Sequence, residues 1–310
     1  MHFIVALDDS IYQLWQAEVL LYHFQKLGLQ QQLWLSILYD GQTPPSLAAQ
    51  RIQQRHSNTR IYANDFPHPW HQYKPICKPF GCAKLLEEHP ELGQCCFLMD
   101  SDIMLAKPIS FTAKMLNNDC IYGSDTASYL SFHHFHHDRN VSLEHMQKLC
   151  DIVGPDLLSS YRKAHVIGAQ YLFKNVDAAF FHKVSTDAWH LHQYALQIQQ
   201  EGNKCQTWVM GEMLSMLLNC IQRVGLRKVK TCRALDFGWG TDPYSDFDEK
   251  KHAIFHMAGI TRESGQFDKQ RYVAFSPWDP QAKDMSYITD KTTCAQKWRE
   301  LVEEYSRQMM

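Results

Sequence analysis

The chain has 310 residues, 45% of them hydrophobic and 21% charged, with a formal net charge of −2, which is the composition of a globular protein with ample interior for a core. That balance, with no basic block interleaved with aromatics, excludes a nucleic-acid footprint and points to small or neutral partners. No run of about twenty apolar residues is available to span a membrane, because the best stretch, 208–218, is broken by Glu212.

Strand-like and helix-like segments alternate through the first half, which predicts βαβ units and a mainly parallel sheet flanked by helices. Residues 3–7 form a strand, Ser10 caps a helix over 12–27, and Gly28 stops it. A second strand at 33–39 ends at Asp40-Gly41. Pro44 and Pro45 open a short helix carrying Arg51 and Arg55, and 59–62 is a third strand. The proline-rich stretch from Phe66 to Pro79 is longer than a simple connector, and such loops usually carry function or disorder. A helix over 80–88 then leads to an apolar strand at 95–99. Further strands are expected at 120–123, 165–173, 228–235 and 253–257, with helices at 143–152, 176–200 and 207–222 and an amphipathic one at 294–308. With no internal repeat and no linker, one α/β domain is expected, 1–105 forming its nucleotide-binding half and 106–310 its acceptor-binding half. Residues 1–9 enter a strand-like run without the basic and long apolar regions of a secretory leader. With no such leader and no apolar span, a cytoplasmic location is expected; the ten cysteines form no C-x-x-C pair and read there as small buried hydrophobes, the alternative being a piece of a secretory protein in which some are bridged.

Asp100-Ser101-Asp102 lies directly behind the apolar run Cys95-Cys96-Phe97-Leu98-Met99. A buried strand ending in acid-x-acid places two carboxylates where ligands bind in open α/β sheets. Acid-x-acid is common in turns, but His256, at the end of another short apolar run, supplies a third donor. Two carboxylates and an imidazole suit Mn²⁺ or Mg²⁺. Such an ion stabilises the charge that develops when a nucleoside diphosphate departs.

Other residues stand out on chemical grounds. Asp8, Asp9 and Ser10 end the first strand, placed either to hydrogen-bond a base or ribose or to cap the following helix. Gly168-Ala169-Gln170 interrupts a strand with small residues, as a bulge or a close ligand approach would, and makes Gln170 a candidate hydrogen-bonding partner of a sugar. Glu212 is the one acid between Gly202 and Leu235, with Trp208 and Met216 one turn away on a face expected to be buried. A buried carboxylate needs a partner, Arg223 or Arg227, or a role at the reacting carbon. In the loop 236–248, Trp239 and Tyr244 are candidates for stacking on a sugar and Asp242 for holding its hydroxyls; a plain surface loop is the alternative. Arg227, Lys228 and Lys230 read as a solvated strand edge. The histidines of 133–137 are too tightly packed to share one ion and read as an exposed loop.

Several of these pieces together resemble the GT-A fold of nucleotide-sugar-dependent glycosyltransferases, retaining ones especially. A closer likeness is to peptidyl serine α-galactosyltransferases and hydroxyproline O-arabinosyltransferases of plants and algae. The matching segments are Asp8, Tyr12 with Trp15-Gln16, Tyr73 to Pro79, the acidic pair, Val166 to Gln170, Trp208 with Glu212, and Phe255-His256 with Gly259, spread over most of residues 3–260. Cys77 stands where that family usually has Asn, Ser101 where it usually has Pro or similar, and Gly168-Ala169 where it has Gly-Gly, which leaves sugar and acceptor open. The resemblance implies a metal-dependent enzyme that moves a sugar from a UDP-linked donor to a hydroxyl of a peptide or glycan, with retention. Asp100, Asp102 and His256 would hold Mn²⁺ or Mg²⁺. Asp8, Ser10, Gln16, Lys78 and Ser101 would bind the donor, and Glu212, Gln170 and Asp242 would act at the reaction centre. A nucleotidyltransferase is one alternative, opposed by the lack of a glycine- and base-rich loop at Leu7-Asp8-Asp9-Ser10-Ile11. A catalytically silent nucleotide-sugar-binding protein is the other.

Overall fold

The first strand, β1 (His2–Asp8), is buried on both faces after its opening residue, and pairs in parallel on both sides, with β2 (Leu33–Tyr39) and with β4 (Cys95–Leu98). Strands covered on both sides lose the apolar–polar alternation of a half-exposed sheet, which is why these segments are continuous apolar runs. A computed structural model describes residues 1–202, 209–243, 253–258, 265–282, 285–290 and 292–309. Between these strands run α1 (Ile11–Lys26), α2 (Leu47–Arg55), β3 (Thr59–Ala63) and α3 (Cys77–Glu88). Next come β5 (Ile103–Leu105), α4 (Ala113–Asn117), β6 (Ile121–Asp125), α5 (Ala127–Leu130), α6 (Leu143–Val153) and α7 (Leu157–Tyr161). The chain continues with β7 (Ile167–Lys174), α8 (Ala178–Gln200), α9 (Leu214–Val224), β8 (Val229–Thr231), β9 (Phe237–Trp239), β10 (Ile254–His256) and α10 (Cys294–Met309).

The main sheet has the order β3-β2-β1-β4-β7-β6-β8, with β7 antiparallel to both its neighbours and the remaining pairs parallel. This is the mixed α/β sheet expected. A second sheet, β5-β10-β9, was not. The strand expected at 228–235 is shorter: β8 ends at Thr231 and a 3₁₀ turn, Arg233–Leu235, redirects the chain into β9. Of the helix expected at 207–222, residues 207 and 208 lie outside the described residues; a π-helical turn at Val209–Met213 precedes α9. Among the described residues no helix is long and apolar enough to cross a membrane.

The small sheet is anchored by aromatic packing. Trp15 of α1 is buried against Phe267, Tyr272 and Trp298, and its indole N–H donates to the Tyr272 carbonyl at 3.0 Å. On the same helix, His23 fixes β5. Its Nε2 lies 3.0 Å from the N–H and 2.9 Å from the C=O of Leu105, and burial pushes the imidazole down to about 4. The unfolded chain takes up this proton near 6.5, so between these values it binds more protons than the fold and stability falls as pH falls. The loss across the window is on the order of 3 kcal/mol. His23→Gln is expected to flatten the decline in unfolding free energy between pH 6.5 and 4 relative to the parent, measured by denaturant titration; an unchanged slope would assign the acid sensitivity elsewhere.

Candidate functional site

The carboxyl ends of β1 and β4 open onto a cavity of about 910 Å³. At one end Asp8, buried as the last residue of β1, accepts from the Ser10 hydroxyl at 2.9 Å through Oδ1 and pairs with Lys74 Nζ at 2.8 Å through Oδ2. Ser10 also accepts from Gln13 N–H at 3.3 Å, so it caps α1 while lining the cavity. Asp9 turns away, its carboxylate accepting from the N–H and hydroxyl of Ser46 at the start of α2. Gln16 lines the same wall, its amide donating to the Tyr12 carbonyl.

The turn between β4 and β5 carries the acidic pair. Because β10 pairs antiparallel with β5, with His256 opposite Ile103, the imidazole is delivered to that turn. His256 Nε2 stands 3.5 Å from Asp100 Oδ2 and 3.3 Å from Asp102 Oδ1, and one donor atom from each of the three residues lies within 4.8 Å of the others. Trp239 packs parallel to the imidazole and Phe237 meets it edge-on, which holds the ring's orientation. Ser101 turns its hydroxyl to Gln13 Oε1 at 2.9 Å. Two oxygen donors and one borderline nitrogen donor converging from a preformed turn and strand fit a divalent cation such as Mn²⁺ or Mg²⁺.

Two ammonium groups flank this set. Lys78, from the first turn of α3, lies 2.7 Å from Asp100 Oδ1, 3.9 Å from Glu212 Oε1, and donates to the Ala169 carbonyl at 3.2 Å. Lys269 pairs directly with Asp102. Burial alone would raise the Asp102 carboxyl, but the Lys269 ammonium and the His256 ring outweigh it and hold Asp102 well below the usual carboxylate range. Burial likewise opposes the charge of both lysines, and Asp100 and Glu212 at Lys78, and Asp102 at Lys269, raise them above the ordinary lysine value. Burial raises Glu212, with Lys78 pulling it down and Asp100 adding to the rise. Lys269 was missed in the sequence, where no local pattern marks it.

Glu212 does not pair with either arginine considered for it. Arg223 binds Asp177 and the Asn175 carbonyl, and Arg227 is exposed. Its cationic neighbour is Lys78, and Oε1 is buried with no hydrogen-bond partner. Gln170 departs from its expected place: it is fully buried, its Oε1 accepts from Ser124 Oγ at 2.5 Å, and it is not among the residues lining the cavity. Ala169 lines it instead, in a left-handed conformation (φ 57°) that aims its carbonyl at Lys78. Gly168 is required because a Cβ there would lie 2.7 Å from Thr126 Oγ1. Asp242 is also not a lining residue; it caps its own turn, Oδ2 accepting from Trp239 N–H at 2.8 Å. Trp239 does line the cavity, in edge contact with Tyr129, a lining residue that sequence reasoning passed over. Trp208, Tyr244 and Gly259 lie outside the described residues. In the histidine-rich segment, His134 pairs with Asp138 and His136 with the Val141 carbonyl. Among the described residues, Asp100, Asp102 and His256 are the one cluster with metal-ligand spacing.

No protein-family model matches the sequence, and no curated protein matches it. Solved structures with similar chains include the WbbM bifunctional glycosyltransferase in its apo form, 12% identical with a TM-score of 0.48, covering 100% of this chain and 52% of that one, so this chain spans about half its length. The galactosyltransferase LgtC in complex with donor and acceptor sugar analogues is 11% identical with a TM-score of 0.46, over 98% of this chain and 96% of that one. Mouse xyloside xylosyltransferase 1 in its apo form is 12% identical with a TM-score of 0.38, over 83% and 97%.

Two predictions follow from this geometry. Asp102→Asn leaves the half-buried Lys269 ammonium without its counter-charge and is expected to destabilise the protein by roughly 2 kcal/mol, while Asp102→Asn combined with Lys269→Met recovers most of that loss in chemical denaturation. Equal stability of the single and double variants would show that the pair is not coupled. Ala169→Gly removes a left-handed alanine and should raise stability by about 1 kcal/mol, read as a higher melting temperature.

Proposed function

We propose that this protein is a metal-dependent glycosyltransferase that moves a sugar from a nucleoside diphosphate to a hydroxyl acceptor. The observation that carries the reading is the convergence of Asp100, Asp102 and His256 on the wall of a large cavity that also presents Lys78 and Lys269. A bound divalent cation would bridge the diphosphate and offset the negative charge of the leaving group. The ammonium groups of Lys78 and Lys269, drawn off the carboxylates, would have phosphate oxygens as their next acceptors. Glu212, beside Lys78 and facing the same cavity, would stabilise positive charge at the anomeric carbon or orient the acceptor hydroxyl.

The donor is read as a UDP-sugar. One oxygen of Asp8 is taken by Ser10 and the other faces Lys74. Each oxygen keeps a further lone pair with which Asp8 would accept from the base or ribose, and uridine is the nucleoside that the sequence resemblance implies. In this reading residues 1–105 serve the nucleotide, joined at the diphosphate by His256 and Lys269, and the rest of residues 106–310 serve the acceptor, with Tyr129 and Trp239 as apolar walls for a peptide- or glycan-borne hydroxyl. Retention is the outcome implied by the sequence resemblance.

The test is a thermal-shift series with UDP-, GDP- and CMP-sugars, each in Mn²⁺ and in EDTA. A UDP-sugar with Mn²⁺ is expected to raise the midpoint, by the equivalent of about 2.7 kcal/mol at a hundredfold excess over Kd, and to lose the effect in EDTA. Absence of a metal-dependent shift with every nucleotide would overturn the proposal.

A further inference from the structure

Glu212 sits in the π-helical turn Val209–Met213, and its backbone N–H donates to the phenolic oxygen of Tyr73 at 2.6 Å. Tyr73 is 3% exposed and lies flat on His192 of α8, ring centroids 3.9 Å apart and planes 12° from parallel. The neighbouring Gly211 has no room for a Cβ, which would overlap the ring and hydroxyl of Tyr73. A π-turn carries one residue more than an α-turn, and such turns recur at functional sites. Reverting it to α-helical register would rotate Glu212 by about 100° about the helix axis and carry its carboxylate off the cavity wall.

We infer that Tyr73 is a positioning residue for Glu212, holding the π-turn in the register that aims its carboxylate at Lys78; the catalytic part of this inference rests on the glycosyltransferase reading. Tyr73 and Lys78 belong to one short segment, the 3₁₀ turn Lys74–Ile76 and the start of α3. The oxygen of Tyr73 fixes the backbone of Glu212, and Lys78 lies 3.9 Å from its carboxylate. With the Tyr73 ring in place, position 211 has room for glycine and for no side chain. Burial and the Glu212 charge raise the phenol above its ordinary value, so it stays protonated and serves as a neutral acceptor.

Tyr73→Phe keeps the ring over His192 and Gly211 and deletes the acceptor. Peptide-level hydrogen exchange is expected to quicken at least tenfold over 209–213 while α8 is unchanged, a result that does not depend on turnover. With a UDP-sugar and Mn²⁺, kcat should fall at least tenfold with the donor Kd within twofold. In a Glu212→Gln background the same substitution should add less than a twofold loss. Unchanged exchange over 209–213 overturns the inference, as does an equal kcat loss in both backgrounds, which is the signature of general structural damage. If the parent protein turns over no nucleotide sugar, the proposed function fails, and the exchange data still decide whether Tyr73 holds the turn.

Discussion

Everything at this site depends on holding two acidic side chains, Asp100 and the buried Asp102, side by side at the edge of an apolar core. Neighbouring carboxylates repel each other, and Asp102, 5% exposed, has lost most of its hydration, so positive charge has to be close. The fold supplies it from two directions: Lys78 arrives on α3 and Lys269 on the turn beyond β10, each meeting a carboxylate at ion-pair distance, while His256 on β10 faces both carboxylates. The small sheet exists to make this possible, since β5 follows the acidic turn directly and β10 pairs with it to place the imidazole.

Such a cluster is balanced without being closed. The lysine ammoniums occupy the carboxylates, yet both lysines line the open cavity and can be drawn away by a competing anion. In the proposed reading Asp100, Asp102 and His256 would hold a divalent cation, and Lys78 and Lys269 would pair with the phosphates of the donor. Such an arrangement would couple donor binding to metal binding through electrostatics.

Much of the framework was legible in the sequence because it is local. An apolar run ending in acid-x-acid marks a buried strand and its ligand-bearing end, and Ser10 before a periodic helix marks a cap. His256 stood out as an imidazole at the end of a short apolar run. What stayed hidden depends on pairing across the chain. β5 has three residues and shows no periodicity, and Lys269 acquires meaning only once Asp102 is seen beside it. Gln170 was misplaced because the β6–β7 register shifts by two residues between Gly123 and Ser124, which leaves Ala169 and Gln170 outside the ladder on β7; with Ala169 turned left-handed, it is Ala169 and not the Gln170 side chain that lines the cavity.

The segment from Tyr73 to Lys78 touches both ends of the cavity. Lys74 closes on Asp8 at the end assigned to the base, and Lys78 sits between Asp100 and Glu212 at the end assigned to the reacting sugar. One 3₁₀ turn, Lys74–Ile76 with a proline at position 75, and the first turn of α3 join these lysines, which lie four residues apart. In the glycosyltransferase reading, a group that hydrogen-bonds Asp8 and draws Lys74 from it would also act on the short segment that carries Lys78, and so link base recognition to the charge arrangement around Asp100 and Glu212.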